Sequence, residues 1–185
     1  MFALFDSLLP LMSLGIAVAG GERTDAGFTT SNISEYEIFT QGYLQLPFDN
    51  VFLRPGARLG FGYNDSDGPS NPIRIFETTY KAGAELALLY SGIVVPTFSI
   101  QGFVLNRALK LSLPDNVTTN SNLMNRTEWL YSNTVSLSVG IPVFDGRVLI
   151  EPFYRLVNID NDFRQDDLFG CEFSVSMNLQ AADSL

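Results

Sequence analysis

Histidine is missing from this chain of 185 residues, and cysteine occurs once, at Cys171. Without histidine the chain cannot use Ser-His or Cys-His catalysis, and it cannot hold a histidine-bound metal. A lone cysteine excludes an internal disulfide and a paired-cysteine metal site. Lysine and arginine number 11 against 20 acidic residues, and the resulting net charge of -9 makes nucleic acid a poor partner.

Charge and long hydrophobic runs are also scarce. Charged residues make up 17% of the chain, below the roughly 25% that is usual in soluble domains. The mean hydropathy is only +0.14, and no run of about 18 apolar residues occurs, so a helical membrane protein is not expected. Aromatic residues, in contrast, are plentiful, with 15 Phe and 7 Tyr. An acidic, aromatic-rich chain of middling hydropathy is typical of a transmembrane β-barrel, in which apolar and polar residues alternate.

The N-terminal residues allow more than one interpretation. Ala17-Val18-Ala19 resembles a signal-peptide cleavage site, but no lysine or arginine precedes Arg23, so the positive start of a signal peptide is missing. From Met12 onward large and small residues alternate, which favours a first strand over a retained signal or a short helix. We therefore expect an arm or short helix over 1–11, a barrel over 12–180 and a tail over 181–185.

Turn-forming segments divide the chain into eight expected strands. Long polar segments alternate with short ones along the whole chain, and Asp145-Gly146 is typical of a two-residue type I′ hairpin turn. Barrels of bacterial outer membranes have an even number of strands, with short turns at one end and longer loops at the other. The four long segments are 20–35, 64–71, 114–126 and 158–167, and the three short ones are 47–50, 91–92 and 145–146.

The alternation within each expected strand indicates which face meets lipid. In the last strand, Phe169, Phe173 and Val175 share one face, whereas Glu172 and Ser174 share the other. The polar faces are rich in small residues that suit a narrow lumen, and the apolar faces carry large residues on every strand, as lipid contact requires. The sequence therefore predicts an all-β fold, an eight-stranded antiparallel up-and-down transmembrane β-barrel.

Two stretches carry a resemblance to a known architecture. Leu53-Arg54-Pro55-Gly56-Ala57-Arg58-Leu59-Gly60-Phe61-Gly62-Tyr63 and Gly170-Cys171-Glu172-Phe173-Ser174-Val175-Ser176-Met177, together with the strand and turn pattern, resemble the small outer-membrane barrels of the OmpA/OmpX type. The resemblance implies a Gram-negative outer membrane, extracellular long loops and periplasmic termini. Enzymes of this architecture use a catalytic histidine, so the resemblance implies that this chain is not an enzyme. We expect no cofactor.

Charged residues on the inward faces form the first candidate site. Buried charges must pair in so narrow a barrel, so we predict a lumen ion-pair network. The last hairpin is expected to be centred near residue 163, which places Arg155 opposite Glu172, and Arg54 is expected to lie close to Glu85. A proton or ion pathway and a catalytic carboxylate pair are the alternatives. The network comprises Arg54, Arg58, Lys81, Glu85, Glu151, Arg155 and Glu172, and Glu37, Glu77 and Glu128 also point inward by parity.

Acidic loop residues form the second candidate site. Asp65 and Asp67 in one loop, and Asp160 and Asp162 in another, have a spacing that can offer oxygens to a divalent cation. A complete twelve-residue calcium loop is absent, so a solvated acidic surface is the plainer interpretation. Divalent bridging to lipopolysaccharide or to a partner is the alternative.

The function expected from these features is structural, with surface display or protein interaction through the long loops. The expected partners are outer-membrane lipid and lipopolysaccharide, with an envelope protein as a further partner. Alternatives are a conduit for small hydrophobic molecules like the OmpW-type barrels, a subunit of a larger envelope complex, and a soluble ligand-binding barrel. The conduit would be favoured by inward apolar residues at Phe39, Tyr43, Phe103, Leu105 and Leu130.

Overall fold

The computed structural model describes residues 12–25, 28–67, 74–112, 125–144, 147–159 and 164–177, nearly all of them in strands. No helix among these residues has the length and apolar character needed to pass through a membrane. The strands are β1 (Met12–Asp25), β2 (Phe28–Gly42), β3 (Leu44–Gln45), β4 (Val51–Asp67), β5 (Arg74–Tyr90), β6 (Val95–Ser112), β7 (Asn125–Val143), β8 (Val148–Ile159) and β9 (Arg164–Met177).

The strands form one closed antiparallel sheet, in which β1 pairs with both β2 and β9. β2 and β3 both pair with β4 in the same register and together form one of eight barrel strands. The gap in the pairing, at Gly42 and Tyr43, lies opposite Pro55 and Arg54, and Pro55 has no N–H to donate to the ladder. A similar gap in the pairing of β7 with β8 lies opposite Pro152. The predicted fold class, an eight-stranded antiparallel barrel, is confirmed.

The strand register shows how strongly the barrel is sheared. A row of paired residues that leaves β8 at Val148 returns to β8 at Asn158, ten residues farther along. Such a shear requires strands tilted by roughly 35–45° to the barrel axis, and an eight-stranded barrel of this kind is just wide enough for side chains to fill. The row passes through Val175, Leu14, Thr40, Ala57, Ala84, Gly102 and Asn133.

Side chains alternate between lumen and outer wall as the sequence predicts. On β7, Ser136 is 5% exposed and its neighbour Leu137 is 56% exposed. Arg54 and Arg58 on β4 are buried, whereas Leu59 and Phe61 point outward. Large apolar side chains cover the outside of the barrel, and the charged and polar side chains point to its inside together with apolar ones that fill the lumen. This distribution is the reverse of that in a soluble barrel and matches a barrel surrounded by lipid.

Several strands run farther toward the long-loop end than the sequence predicts, most of all β1, β2, β4 and β9. Most of the expected loop 20–35 is strand, because β1 and β2 pair as far as Asp25 and Phe28. Asp65 and Asp67, expected in a loop, belong to β4 and pair with residues of β5. The sequence of these extensions is rich in polar residues, with Ile33 and Ile159 as buried exceptions, so it largely lacks the apolar alternation that marks a half-buried strand.

Several sequence-based expectations fall outside the described residues. These are the N-terminal arm over 1–11, the Asp145-Gly146 turn, the loop aspartates Asp160 and Asp162, and the tail over 181–185. The described part of the expected barrel domain begins at Met12 and ends at Met177.

Candidate functional site

The middle of the lumen is occupied by charged side chains from five strands. We call this set the charged belt. It contains four cations and four carboxylates, and all eight side chains are buried. β2 provides Glu37, β4 provides Arg54 and Arg58, β5 provides Lys81 and Glu85, β8 provides Glu151 and Arg155, and β9 provides Glu172.

Glu37 joins three of the cations. Its two carboxylate oxygens lie 2.8 Å from Arg58 Nη1, 2.6 Å from Lys81 Nζ and 3.0 Å from Arg155 Nη1. Sequence parity places Glu37 in the lumen, yet the predicted network does not include it. Parity shows that a residue faces the lumen, but not how many cations from other strands converge on it.

Arg58 is the second centre of the belt. Its guanidinium contacts the carboxylates of Glu37, Glu85 and Glu172, and its side chain is fully enclosed. Arg54 lies on the side of the short turns, where Nη1 is 2.7 Å from Glu151 and Nη2 is 3.5 Å from Glu85. Arg54 and Glu85 are therefore close to each other, as the sequence predicts.

Hydroxyl groups complete the coordination of Glu151. Its Oε1 accepts hydrogen bonds from Thr97 Oγ1 and Ser138 Oγ, both at 3.3 Å, while Oε2 accepts from Arg54. β6 and β7 supply these hydroxyls because their inward residues are short and polar. The carboxylate therefore has partners on both oxygens, as a buried charge requires.

Arg155 and Glu172 make the predicted contact, since Arg155 Nη2 donates a hydrogen bond to Glu172 Oε1. The expected register of the last hairpin, however, is wrong. Arg155 lies opposite Leu168, and Glu172 lies opposite Glu151. Because the strands are strongly tilted and both side chains are long, the two charges still meet across the lumen.

Phenylalanine rings pack against three cations of the belt. Arg58 lies 4.6 Å from the centre of the Phe39 ring, and Arg155 lies 4.0 Å from that of Phe153. Lys81 lies 4.8 Å from the centre of the Phe103 ring. Such cation–π contacts favour the charged form of a desolvated cation. Two of the inward aromatics that favour a conduit, Phe39 and Phe103, therefore fill the space beside charges.

Apolar layers lie on both sides of the charged belt. Near the short turns, Phe52, Leu89, Val95 and Leu149 pack together, with Tyr43 against them. Toward the long-loop end, a larger cluster fills the lumen. It includes Leu105 and Leu130, the other two inward residues that would favour an apolar conduit. Its members are Ala17, Ala19, Ile33, Phe39, Phe103, Leu105, Leu130, Phe153, Val157, Ile159 and Leu168.

A small cavity remains beside this upper cluster. It measures about 20 Å³, room for about one or two waters rather than for an organic molecule. Apolar side chains, hydroxyls and charges share its lining. The lining comprises Glu35, Glu77, Thr79, Lys81, Phe103, Leu105, Arg107, Ser132, Thr134, Val157, Ile159 and Asp166.

A second charged cluster lies at the mouth of the barrel. Arg107 on β6 donates hydrogen bonds to Glu128 on β7, and Arg126 lies 3.0 Å from the same carboxylate. Sequence reasoning missed the inward position of Arg107, although Arg107 has the same parity as Phe103 and Leu105. It also missed Asp166, which is buried on β9 rather than solvated in a loop.

The divalent-cation hypothesis gains no support. Among the described residues, no group of three or more acidic or cysteine side chains is arranged to hold a metal ion. Asp160 and Asp162 lie outside the described residues, as do the side chains of Asp65 and Asp67.

Solved structures of other proteins share this fold. Neisserial surface protein A is similar with a TM-score of 0.62 at 10% identity, over 90% of this chain and 97% of that one. Ail of Yersinia pestis, in complex with the heparin analogue sucrose octasulfate, gives 0.60 at 9% identity over 91% and 99%. The outer membrane enzyme PagL gives 0.53 at 7% identity over 87% and 98%. No model of a protein family matches the chain, and no curated protein matches it in sequence.

The closed sheet, the apolar outer wall and these neighbours define the class of the chain. It is a transmembrane β-barrel with the fold of the small eight-stranded outer-membrane barrels. The resemblance predicted from the sequence is confirmed. At identities of 7–10% the likeness shows the fold and does not carry over the activity of any one neighbour.

Proposed function

We propose that this chain is a non-enzymatic barrel of a Gram-negative outer membrane, with its long-loop end outside the cell and its termini in the periplasm. Its role would be structural, with surface display or protein interaction at the long-loop end. A closed barrel suits that role because it has no free strand edge and holds its loops on a rigid frame.

The filled lumen is the observation that carries this proposal. Four buried cations are paired with buried carboxylates, and apolar layers lie above and below them. An open pore needs a continuous wet path, which this packing opposes. Paired charges and stacked rings instead give a rigid plug that links the strands across the lumen.

The absence of histidine argues against an enzyme. PagL shows that this fold can carry catalysis, so the fold alone decides nothing. This chain has no histidine to serve as a general base for a serine or cysteine. The buried carboxylates of the charged belt are enclosed and paired with cations, which leaves them no access to a substrate.

Binding of a sulfated polysaccharide is also disfavoured. Ail has been seen with a heparin analogue, but this chain carries a net charge of -9. A polyanion would be repelled over the long range by such a surface. Protein partners at the long-loop end are therefore expected to be neutral or basic.

Labelling of intact cells tests location and orientation together. In a Cys171→Ser background, Thr127→Cys places a thiol at the exposed long-loop end of β7, and Asp49→Cys places one in the short turn after β3. A membrane-impermeant maleimide should label the first variant on intact cells. It should label the second only after the outer membrane is permeabilised. The opposite pattern would invert the orientation. If neither variant is labelled on intact cells, although both are recovered in the outer-membrane fraction, surface exposure of the long-loop end is contradicted.

A conduit for small hydrophobic molecules is the second candidate. The apolar cluster at the long-loop end, with its adjoining small cavity, favours it. Fluorescent apolar probes distinguish the two functions. Saturable binding that is weakened by Leu105→Asn would support the conduit, whereas signals equal to those of empty vesicles would support the filled barrel.

A further inference from the structure

The closure of the barrel wall, which removes strand edges within the membrane, does not extend to the top of β7. On one side β7 pairs with β6 without interruption as far as Asn125, which lies opposite Lys110. On the other side the described pairing with β8 ends at Ser132, which lies opposite Ile159, the last residue of β8. In the described part of the chain, residues 125–131 therefore rise beyond β8 with a paired strand on one side only.

The connection from β8 to β9 is too short to cover this edge. Ile159 lies opposite Arg164, and only residues 160–163 lie between them in the chain. The tightest hairpin turn takes about two residues, so this connection has the length to extend β8 by about one residue, up to the level of Tyr131. The part of β7 above Tyr131 lies beyond its reach. We call residues 125–130 the upper edge of β7.

A proline farther down the strand shows which backbone groups face this side. The pairing of β7 with β8 is interrupted where Val139 comes opposite Pro152. Because Pro152 has no N–H, the interruption shows that Val139 is one of the residues that direct their N–H and C=O toward β8. These groups alternate in direction along a strand. Thr127 and Trp129 lie an even number of residues from Val139, as does Asn125, so all three direct their N–H and C=O to the side where no described strand lies.

The upper edge lacks the features that usually protect an exposed strand edge from pairing. It contains no proline and no lysine, and its register with β6 runs without a bulge. Its two charged side chains, Arg126 and Glu128, share the inward face, where Glu128 accepts a hydrogen bond from Arg107. On the outward face Trp129 is 70% exposed. A row of backbone donors and acceptors thus adjoins a large exposed ring.

We propose that the upper edge of β7 binds an extended segment of a partner protein, which adds to the sheet as a strand above β8. This inference rests on the proposed role in protein interaction at the long-loop end. The backbone groups of Asn125, Thr127 and Trp129 hold the segment, and an apolar side chain on its outward face packs against the Trp129 ring. The segment is neutral or basic, because the chain carries a net charge of -9.

A second copy of this chain in the same membrane does not fit the edge. Barrel strands are tilted by about 40° to the barrel axis, so two copies of β7 related by the two-fold axis of a symmetric dimer would cross at about 80°. Antiparallel pairing needs strands that run in opposite directions and nearly in line. The geometry therefore favours a segment that comes from outside the membrane and can align with β7.

The single tryptophan of the chain, Trp129, lies on this edge and reports binding directly. The probe is a blocked peptide of alternating threonine and valine, long enough to span the edge, with a lysine at one end and a nitroxide at the other. Its control is the same peptide N-methylated at every residue, which has no backbone donors. Thr127→Pro removes one N–H from the edge without touching the pairing with β6. Each barrel is folded into phosphatidylcholine vesicles, and folding is checked by heat-modifiable gel mobility.

We expect saturable quenching of Trp129 by the peptide and none by its methylated control. Thr127→Pro should weaken binding about tenfold, the effect of losing one backbone hydrogen bond, and Thr127→Ala, which has the N–H again, should restore it.

The absence of saturable quenching in the folded barrel, or equal binding by Thr127→Pro, would overturn the strand addition. Neither result would touch the surface exposure that maleimide labelling tests. Saturable binding by a barrel whose Thr127→Cys variant is labelled only after permeabilisation would support the strand addition and contradict the proposed surface role.

Discussion

The inner and outer walls of this barrel are built from the same strands and obey opposite rules. Along β7, Ser136 is buried in the lumen and Leu137 faces outward on the apolar wall. Inside, the stability of the wall depends on pairing, because each charge is enclosed and needs a partner. Outside, it depends only on the absence of polar groups. A substitution should therefore have different consequences at two positions one residue apart.

Loss of a central cation should have the largest effect. Arg58→Met would leave the carboxylates of Glu37, Glu85 and Glu172 without one of their cations, at a cost of about 3–5 kcal/mol. Urea unfolding in lipid vesicles measures the change. Arg126→Met is the matched control, since the Arg126 side chain is 73% exposed and its loss should cost less than about 1 kcal/mol. Equal losses for the two variants would show that water enters the belt freely.

A charge on the outer wall should have the next largest effect. Leu137→Arg places a cation on the apolar face near the middle of the wall, at a cost of about 2–4 kcal/mol in lipid. The fraction folded into vesicles, read by heat-modifiable mobility, should fall. Thr127→Arg on the same face, beyond the apolar band, is the control and should fold like the unmodified protein. Normal folding of Leu137→Arg would place that residue away from lipid.

Alternation allowed the two walls to be predicted, whereas the register could not be predicted in the same way. Parity correctly assigns Ser136 to the lumen and Leu137 to lipid, because each strand is half-buried. It does not fix the register, which depends on hairpin lengths. The contact between Arg155 and Glu172 is predicted correctly, but from an incorrect register. The two residues do not lie directly opposite each other on β8 and β9. The extensions of β1 and β2 are rich in polar residues, which is why the sequence predicts shorter strands there.

Two glycines extend the comparison to steric effects. A Cβ on Gly83 would lie 2.1 Å from the backbone oxygen of Gly102 and 2.5 Å from the Phe103 ring, so Gly83→Ala should destabilise the barrel by about 1–3 kcal/mol. A Cβ on the outward Gly102 would meet nothing within 4 Å. Gly102→Ala should therefore leave the urea midpoint nearly unchanged. Similar midpoints for both variants would indicate a lumen looser than the one described.

The smallest expected effect is a coupling between two charges. A double-mutant cycle of Arg155→Met and Glu172→Gln, read by urea unfolding in lipid, should give an interaction energy of about 0.5–3 kcal/mol. Arg155→Met combined with Glu128→Gln, in the separate cluster at the mouth, should be additive. Zero coupling in the first cycle would mean that the hydrogen bond between Arg155 and Glu172 contributes nothing to stability.

The central claim is that the lumen is filled, and planar-bilayer recording tests it most directly. Eight buried charges paired with one another, between two apolar layers, leave no continuous path for ions. The purified, folded barrel should therefore give no stable unitary current at any applied voltage that the bilayer withstands. Reproducible unitary currents that change in size when Arg58 is replaced by Met would contradict the account and show that ions pass through the belt.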